Sequence, residues 1–290
     1  MSIYLKNLTF IYDQGLAFEK KALTDINFAV DPGEIIGIIG QSGSGKSTLV
    51  QHLNGLIKPQ KKNQVLVDGL DLGDPETDLI RIRQKVGIVF QYPEMQLFEE
   101  TVEKDVAFGP KNLGFTKEEI HDLVIDSLKL VGLSYENYKG RSPLLLSGGE
   151  KRRIAIAGIL AMKPEYLILD EPTAGLDPFA KEELLKEIVS INKIRNTAII
   201  FVSHDMDEIA EITNRIYVLK KGQIVLEGSK NLVFSNYSMM EELGLTLPET
   251  MKILHEISQC SSGIQVDKFD LDETTDEIIR FYNHRIKSGN

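Results

Sequence analysis

The segment Gly40-Gln41-Ser42-Gly43-Ser44-Gly45-Lys46-Ser47 constrains this chain more than any other. It lies between an apolar run, Ile35-Ile36-Gly37-Ile38-Ile39, and a helix-forming run from Ser47 to Leu56. Glycine, four residues, then Gly-Lys-Ser is the pattern of a phosphate-binding loop joining a buried strand to a helix. The glycines let backbone N–H groups turn inward on an anion, and the helix N-terminus adds positive potential. In such a loop Lys46 reaches the β- and γ-phosphates of a nucleoside triphosphate, and the Ser47 hydroxyl ligates a magnesium ion.

A loop of this kind needs a parallel sheet around it. Val86 to Phe90, Tyr166 to Leu169 and Ala198 to Val202 are further apolar runs. Their continuous apolarity predicts strands buried on both faces, hence an α/β fold. Helical spacing of Ile120, Leu123, Val124, Leu128 and Val131 predicts a helix over 117–132. Asp177 as N-cap and Pro178 at the first helical position open another, over 178–194. Leu5 to Tyr12 and Leu23 to Val30 predict antiparallel strands beside the main sheet. After about residue 230 the strand–helix alternation stops. Residues 231–290 are expected to form two or three short helices in a small C-terminal domain. The last helix starts at about Thr275, with Ile278, Ile279, Tyr282 and Ile286 on one stripe.

Ligands of an α/β sheet sit at the carboxyl ends of its strands. Asp170 and Glu171 end one strand, which suits Asp170 to hold magnesium and Glu171 to polarise an attacking water. Taken alone, such an acidic pair is more often a solvated strand end; the phosphate loop in the same chain tips the balance. Gln91 and His204 follow two other strands. From position alone His204 is as readily a structural or surface histidine, and Gln91 has the same standing. Ser147 and Glu150, in Leu146-Ser147-Gly148-Gly149-Glu150, form a capping box, which accounts for both residues structurally. The two glycines inside that first turn are not so explained, since each costs about 1 kcal/mol against alanine. Bare backbone at a helix start suits close approach to an anion.

Taken together, these motifs resemble the ATP-binding subunits of ABC transporters. The phosphate loop, the Leu146–Glu150 signature, the Asp170–Glu171 pair and Ala174-Gly175-Leu176-Asp177 occur in that family's order. The resemblance covers about residues 1–230 and implies a P-loop NTPase fold, an ABC-type nucleotide-binding domain. Within it come an antiparallel β subdomain and a helical subdomain over about residues 92–160. The C-terminal segment is α-rich. It implies ATP contacts from Gly40, Ser42, Gly43, Ser44, Gly45, Lys46, Ser47 and Thr48. It also implies stacking of adenine on Tyr12, and Mg²⁺ held by Ser47, Gln91 and Asp170. Glu171, His204 and Gln91 take the catalytic positions. A head-to-tail dimer is implied too, with Ser147, Gly148 and Gly149 closing the partner's ATP site. Glutamate at position 150 departs from the family's usual glutamine.

The run Phe90-Gln91-Tyr92-Pro93-Glu94-Met95-Gln96-Leu97-Phe98, continuing to Pro110, resembles the ATPases of energy-coupling factor importers of vitamins and metal ions. Gln51 to Leu56 and Phe18 to Leu23 are similar to the second of that group's two paralogous chains. That resemblance implies a heterodimer with a paralogous ATPase and a membrane scaffold subunit whose coupling helix docks near Tyr92 to Phe98. It implies indirect contact with a substrate-binding membrane subunit and a peripheral place on the cytoplasmic face of the cell membrane. The C-terminal segment would then help the two ATPases associate.

Composition agrees and excludes alternatives. A formal net charge of -10 over 290 residues is a poor match to nucleic acid. Soluble ABC ATPases of chromosomes or ribosomes usually carry a coiled-coil insertion or a second fused unit, and this sequence has neither sustained heptads nor a repeat. A binding-only, degenerate subunit is at odds with Lys46, Asp170, Glu171 and His204 occurring together. The N-terminus has no signal-peptide pattern, and no run of about 18 apolar residues crosses a bilayer. Cys260 is the sole cysteine, so no internal disulfide forms; it is read as a small unreactive side chain. Lys46→Ala is expected to abolish triphosphate binding, measured by titration with a fluorescent ATP analogue; wild-type affinity in that variant would remove the loop from the site.

Overall fold

The computed structural model describes residues 2–260 and 263–288. The chain opens with two long antiparallel strands, β1 (Ile3–Tyr12) and β2 (Lys20–Val30), then β3 (Ile35–Ile39) and helix α1 (Lys46–Leu53). Short strands β4 (Val65–Val67) and β5 (Leu70–Asp71) lead to α2 (Leu79–Lys85) and β6 (Val86–Val89). A helical stretch comes next: α3 (Val102–Asn112), α4 (Lys117–Leu130), α5 (Tyr135–Tyr138) and α6 (Gly148–Leu160). The chain then alternates through β7 (Tyr166–Asp170), α7 (Pro178–Arg195), β8 (Ala198–Val202) and α8 (Met206–Ile212). The hairpin β9 (Arg215–Lys220) and β10 (Gln223–Ser229) precedes α9 (Lys230–Phe234), α10 (Tyr237–Glu242), α11 (Glu249–Cys260) and α12 (Leu271–Ser288).

Two sheets result. The larger has the order β10-β9-β3-β8-β7-β6, parallel except for the β9–β10 hairpin. The smaller runs β2-β1-β4-β5 and is antiparallel. Alternate residues of the central strands enter two different cores. Ile36, Ile38, Ile168, Ile200 and Val202 pack with α1 and the antiparallel sheet. Ile39, Leu167, Leu169, Ile199 and Phe201 pack with α6, α7 and the helical stretch. Burial on both faces is why these strands are apolar at every position. Val233, Phe234, Met240, Leu243 and Met251 join the second core, so the first helices after residue 230 are built into the same packing as β7 and β8.

Several boundaries differ from the sequence expectation, each for a local reason. Helix α1 stops at Leu53 rather than Leu56, because Asn54 caps it and Gly55 turns at φ +70°. Four helices, not two or three, come after residue 229 among the described residues. The last starts at Leu271 rather than about Thr275: Asp270 accepts the N–H groups of Asp272 and Glu273 at 2.9 and 3.1 Å and caps it ahead of the apolar stripe. The side chain of Ile286 lies outside the described residues.

One half-buried group has a measurable consequence. Glu187 on α7 lies beside Arg153 of α6, at 3.3 Å, while Arg153 also binds Glu183 at 2.7 Å. Burial pushes the Glu187 carboxyl up to about 7, against the pull of Arg153 and with a small push from Glu183. The folded-state value lies above the ordinary one of 4.5. Its stability contribution is therefore full below that ordinary value and is lost as pH rises through about 7. The loss is roughly 3 kcal/mol. Glu187→Gln is expected to raise the urea midpoint at pH 8.5 relative to wild type, with the gap closing towards pH 5; parallel pH profiles for the two proteins would contradict this.

Candidate functional site: a cleft at the strand ends

Register places the site. Ile38 pairs with Val202, and Val202 with Asp170, so the carboxyl ends of β3, β8 and β7 lie side by side. The residues just beyond each strand open onto one cleft of about 750 Å³. Its lining includes Tyr12, Gly40 to Gly43, Gly45 to Thr48, Gln91, Asp170, Glu171 and His204.

The loop after β3 requires its glycines. Gly40 adopts φ +150°, and a Cβ there would stand 2.3 Å from the Leu219 carbonyl oxygen. Gly45 turns at φ +108° as the N-cap of α1, pressed against the Ala22 carbonyl. At Gly43, φ is +76° and the Cβ position meets nothing within 4 Å among the described residues. Lys46 is buried, its ammonium donating to the carbonyls of Gly40 at 2.7 Å and Gln41 at 3.1 Å. Burial pushes this ammonium below its usual value, while Glu171 and Asp170 pull the other way. The Ser44 hydroxyl is buried with no hydrogen-bond partner among the described residues.

Asp170 ends β7, buried, within hydrogen-bonding reach of the Ser47 hydroxyl. Burial raises its carboxyl above the ordinary range; Glu171 adds to that, and Ser47 and Lys46 oppose it. Glu171 sits in the left-handed region at φ +50°, its N–H donating to the Val202 carbonyl at 2.9 Å. Backbone strain at a strand end aims its carboxylate outward. Gln91 Nε2 donates to one carboxylate oxygen at 2.9 Å, and His204 Nδ1 stands 3.4 Å from the other. Three residues read separately along the sequence thus form one cluster. His204 is placed by the element after it: Asp205 caps α8, binds Lys181 of α7, and Ser203 donates to Glu208 at 2.6 Å. Tyr12 approaches from β1, its hydroxyl 3.2 Å from the Thr48 hydroxyl, its ring edge-on to Phe10.

Ser147, Gly148 and Gly149 do not line this cleft. They start α6 with the expected capping box, and Glu150 also accepts the Tyr138 hydroxyl at 2.7 Å. Hydrogen bonds from Tyr138 and Ser147 hold the Glu150 carboxyl below its ordinary value. The Cβ positions of both glycines meet nothing within 4 Å among the described residues, so the helix start presents bare backbone to the outside. One turn on, buried Arg152 makes a two-pronged contact with Glu94 at 3.0 and 3.2 Å and donates to the carbonyls of Pro172 and Ala174. The helix carrying the glycines is thereby tied to the segment after Gln91 and to the loop after Glu171.

Sequence reasoning missed part of the lining. Lys221 and Gly222, at the β9–β10 turn, stand against the loop, with Gly222 N–H donating to the Ser44 carbonyl at 2.8 Å. The Lys-Gly turn was visible, but its position depends on β9 pairing with β3. Lys20, Lys21 and Ala22 line the cleft from β2, and Gly244 to Thr246 from beyond α10; neither carries a sequence signal for this. Among the described residues no group of three or more His, Cys, Asp and Glu side chains gathers in a way that could hold a metal. The oxygens near Lys46 come instead from Ser47, Asp170 and Gln91, a hard donor set of the kind Mg²⁺ takes alongside phosphate oxygens.

Glu171→Gln is expected to keep ATP affinity and slow single-turnover hydrolysis by about 100-fold or more, the usual contribution of a general base. Wild-type turnover in that variant would take Glu171 out of the base role.

Known proteins are similar to this chain over most of its length. The family described as ABC transporter matches residues 23–174. A Clostridium tetani protein called energy-coupling factor transporter ATP-binding protein EcfA2 is 46% identical over 98% of this chain and 99% of its own length. A Clostridium perfringens protein of the same name is 47% identical over 98% of this chain and all of its own. Among solved structures, cbiO1 from Clostridium perfringens, described as part of the ABC transporter complex cbiONQ, aligns with TM-score 0.74 and 36% identity, covering 88% of this chain and 98% of that one. The ATP-binding cassette MJ0796, in a dimeric post-hydrolysis state with ADP and Pi, aligns with TM-score 0.69 and 31% identity over 78% of this chain and 98% of its own. With the cleft, the motif order and near full-length identity in agreement, the chain belongs to the ABC transporter family, among the ATP-binding proteins of energy-coupling factor transporters.

Proposed function

We propose that this chain hydrolyses MgATP as one of two paralogous ATPases of an energy-coupling factor importer, driving uptake of vitamins or metal ions through a separate membrane scaffold and a substrate-binding membrane subunit. The observation that carries this reading is the convergence of Lys46, Asp170, Glu171, Gln91 and His204 on one cleft. Glu171, oriented by Gln91 and His204, takes the proton of the attacking water. Lys46 and the loop N–H groups hold the β- and γ-phosphates, and Tyr12 offers its ring to the adenine. Ser47, Asp170 and Gln91 supply the magnesium ligands; when bound, the ion offsets charge on the β- and γ-phosphate oxygens. Ser147, Gly148 and Gly149, open and outside their own chain's cleft, are positioned to serve the ATP of a head-to-tail partner.

The membrane side of the proposal has its own support. No described helix is long and apolar enough to cross a membrane; in the proposed importer the membrane path belongs to the scaffold and substrate-binding subunits. Tyr92, Met95, Phe98 and Phe108 are exposed apolar side chains grouped after Gln91, with Phe98 and Phe108 in edge-on contact. A cluster of that kind suits a docking helix of the scaffold. In this reading an ATP-binding domain covers residues 1–230, with a helical subdomain over about 92–160, and a C-terminal part over 231–290, whose first helices pack on the same core, supports association of the two ATPases. The protein acts peripherally on the cytoplasmic face of the cell membrane.

Affinity purification of the tagged chain from native membranes in mild detergent tests this, with native mass and peptide identification as readout. A second, different ABC ATPase and a membrane scaffold are expected in the complex. Phe98→Asp is expected to lose the scaffold by at least about tenfold while ATP still binds. Recovery of a soluble homodimer without membrane partners, even after crosslinking, would overturn the importer reading.

A further inference from the structure

The nucleotide cleft is completed by a part of the chain that none of its motifs involve. Helix α10 ends in a tight stop: Leu245 N–H donates to the Met240 carbonyl at 2.9 Å and Gly244 N–H to the Glu241 carbonyl at 2.8 Å, with Gly244 at φ +61°. This paired pattern with a left-handed glycine is a Schellman motif. Its base is fixed, because Met240 and Leu243 are buried in the core shared with β7 and β8, and Leu245 packs against that core. The stop directs Gly244, Leu245 and Thr246 into the wall of the cleft.

Two contacts tie this turn to the ends of the site. A methyl group on Gly244 would stand 2.3 Å from Nε2 of Gln41, so the amide at the tip of the phosphate loop lies directly on bare backbone. Five residues after Gly244, Glu249 N–H, the first of α11, donates to Asp207 Oδ1 at 2.7 Å. Asp207 is in the first turn of α8, three residues after His204. One short segment therefore touches both the loop that holds phosphates and the helix just beyond the histidine beside Glu171. It leads without interruption into α11, whose Met251 and Leu254 are fully buried.

We propose that Gly244–Thr246 is a positioning element of the nucleotide site: it holds Gln41, and through it the tip of the phosphate loop, and passes nucleotide occupancy on to the C-terminal helix α11. The proposal rests on the nucleotide reading of the cleft and extends it to residues beyond the ATP-binding motifs. Its logic is reciprocal. A turn whose contact with Gln41 differs between the filled and the empty loop changes nucleotide affinity, and nucleotide changes the turn by the same factor. Gly244 is favoured by its left-handed backbone, and a side chain there would have to push the Gln41 amide aside.

Hydrogen–deuterium exchange of the full chain, with and without MgADP, separates this from the nucleotide reading. Slower exchange is expected both at residues 40–48 and at 244–252. Slowing at 40–48 alone overturns the proposal and leaves nucleotide binding standing. No slowing at either segment defeats the nucleotide reading and the proposal with it. Gly244→Ala, whose methyl displaces the Gln41 amide, is expected to weaken MgADP binding by about fivefold or more. Gln41→Ala in the same chain, measured against Gln41→Ala alone, is expected to restore most of that loss. A loss that Gln41→Ala leaves in place comes from the damaged helix stop rather than from the contact, and overturns the proposal.

Discussion

Everything at this site depends on the parallel pairing of β3, β8 and β7. Ile38 beside Val202 and Val202 beside Asp170 bring three strand ends into line, and each end hands its next residues to the same cleft. That pairing is secured by apolar burial on both faces, by Ile36, Ile38, Ile200 and Val202 on one side and Ile39, Leu169, Ile199 and Phe201 on the other. A one-residue slip of β7 would exchange its two faces and carry Asp170 away from Ser47. The chemistry of the cleft is thus set by hydrophobic register before any polar contact forms.

The polar groups inherit a position that is costly to leave unfilled. Lys46 is buried among carbonyls and carboxylates, its charge opposed by burial and favoured by Glu171 and Asp170. Asp170 is pushed towards its neutral form by burial and by Glu171, and held back by Ser47 and Lys46. Neither group is comfortable alone, which is the state of a site prepared for a highly charged ligand. Under the proposed function, phosphate oxygens would meet Lys46 and the loop amides, and a cation would meet Asp170. The backbone strain at Glu171 belongs to the same arrangement, since only that left-handed turn sets its carboxylate between Gln91 and His204.

How much of this was legible depends on the range of each signal. The loop from Gly40 to Ser47 was readable because its geometry is local: glycines where φ is positive, then a helix start. Asp170 and Glu171 were readable because an apolar strand announced its own end. Gln91 and His204 stood on weaker ground, and the structure gives both a contact to Glu171 that sequence position alone left open. The Gly222 contact with Ser44, the Gly244 contact with Gln41 and the anchoring of Arg152 were not readable. Each joins segments far apart in the chain, through the sheet order or through the core that binds α10 to β7 and β8. Helix limits failed for the opposite reason: Asp270 and Gly55 act within two or three residues, on a scale finer than the apolar stripe that betrays a helix.

The position of the Gly148–Gly149 pair bears on the head-to-tail assembly proposed above. A helix N-terminus with open backbone attracts anions, yet this one lies away from the cleft of its own chain. Its helix does not drift free, because Arg152 is fastened to Glu94 and to the carbonyls of Pro172 and Ala174. A displacement of the exposed segment around Met95 and Phe98 therefore pulls on Glu94, and through Arg152 on both the glycine pair and the loop beyond Glu171. Under the proposed function, a push from the membrane scaffold reaches two places at once: the partner's ATP through Ser147–Gly149, and this chain's own attacking water through the loop that carries Glu171. One buried guanidinium is sufficient to link the two, because its planar fork holds a carboxylate and two carbonyls in fixed directions at the same time.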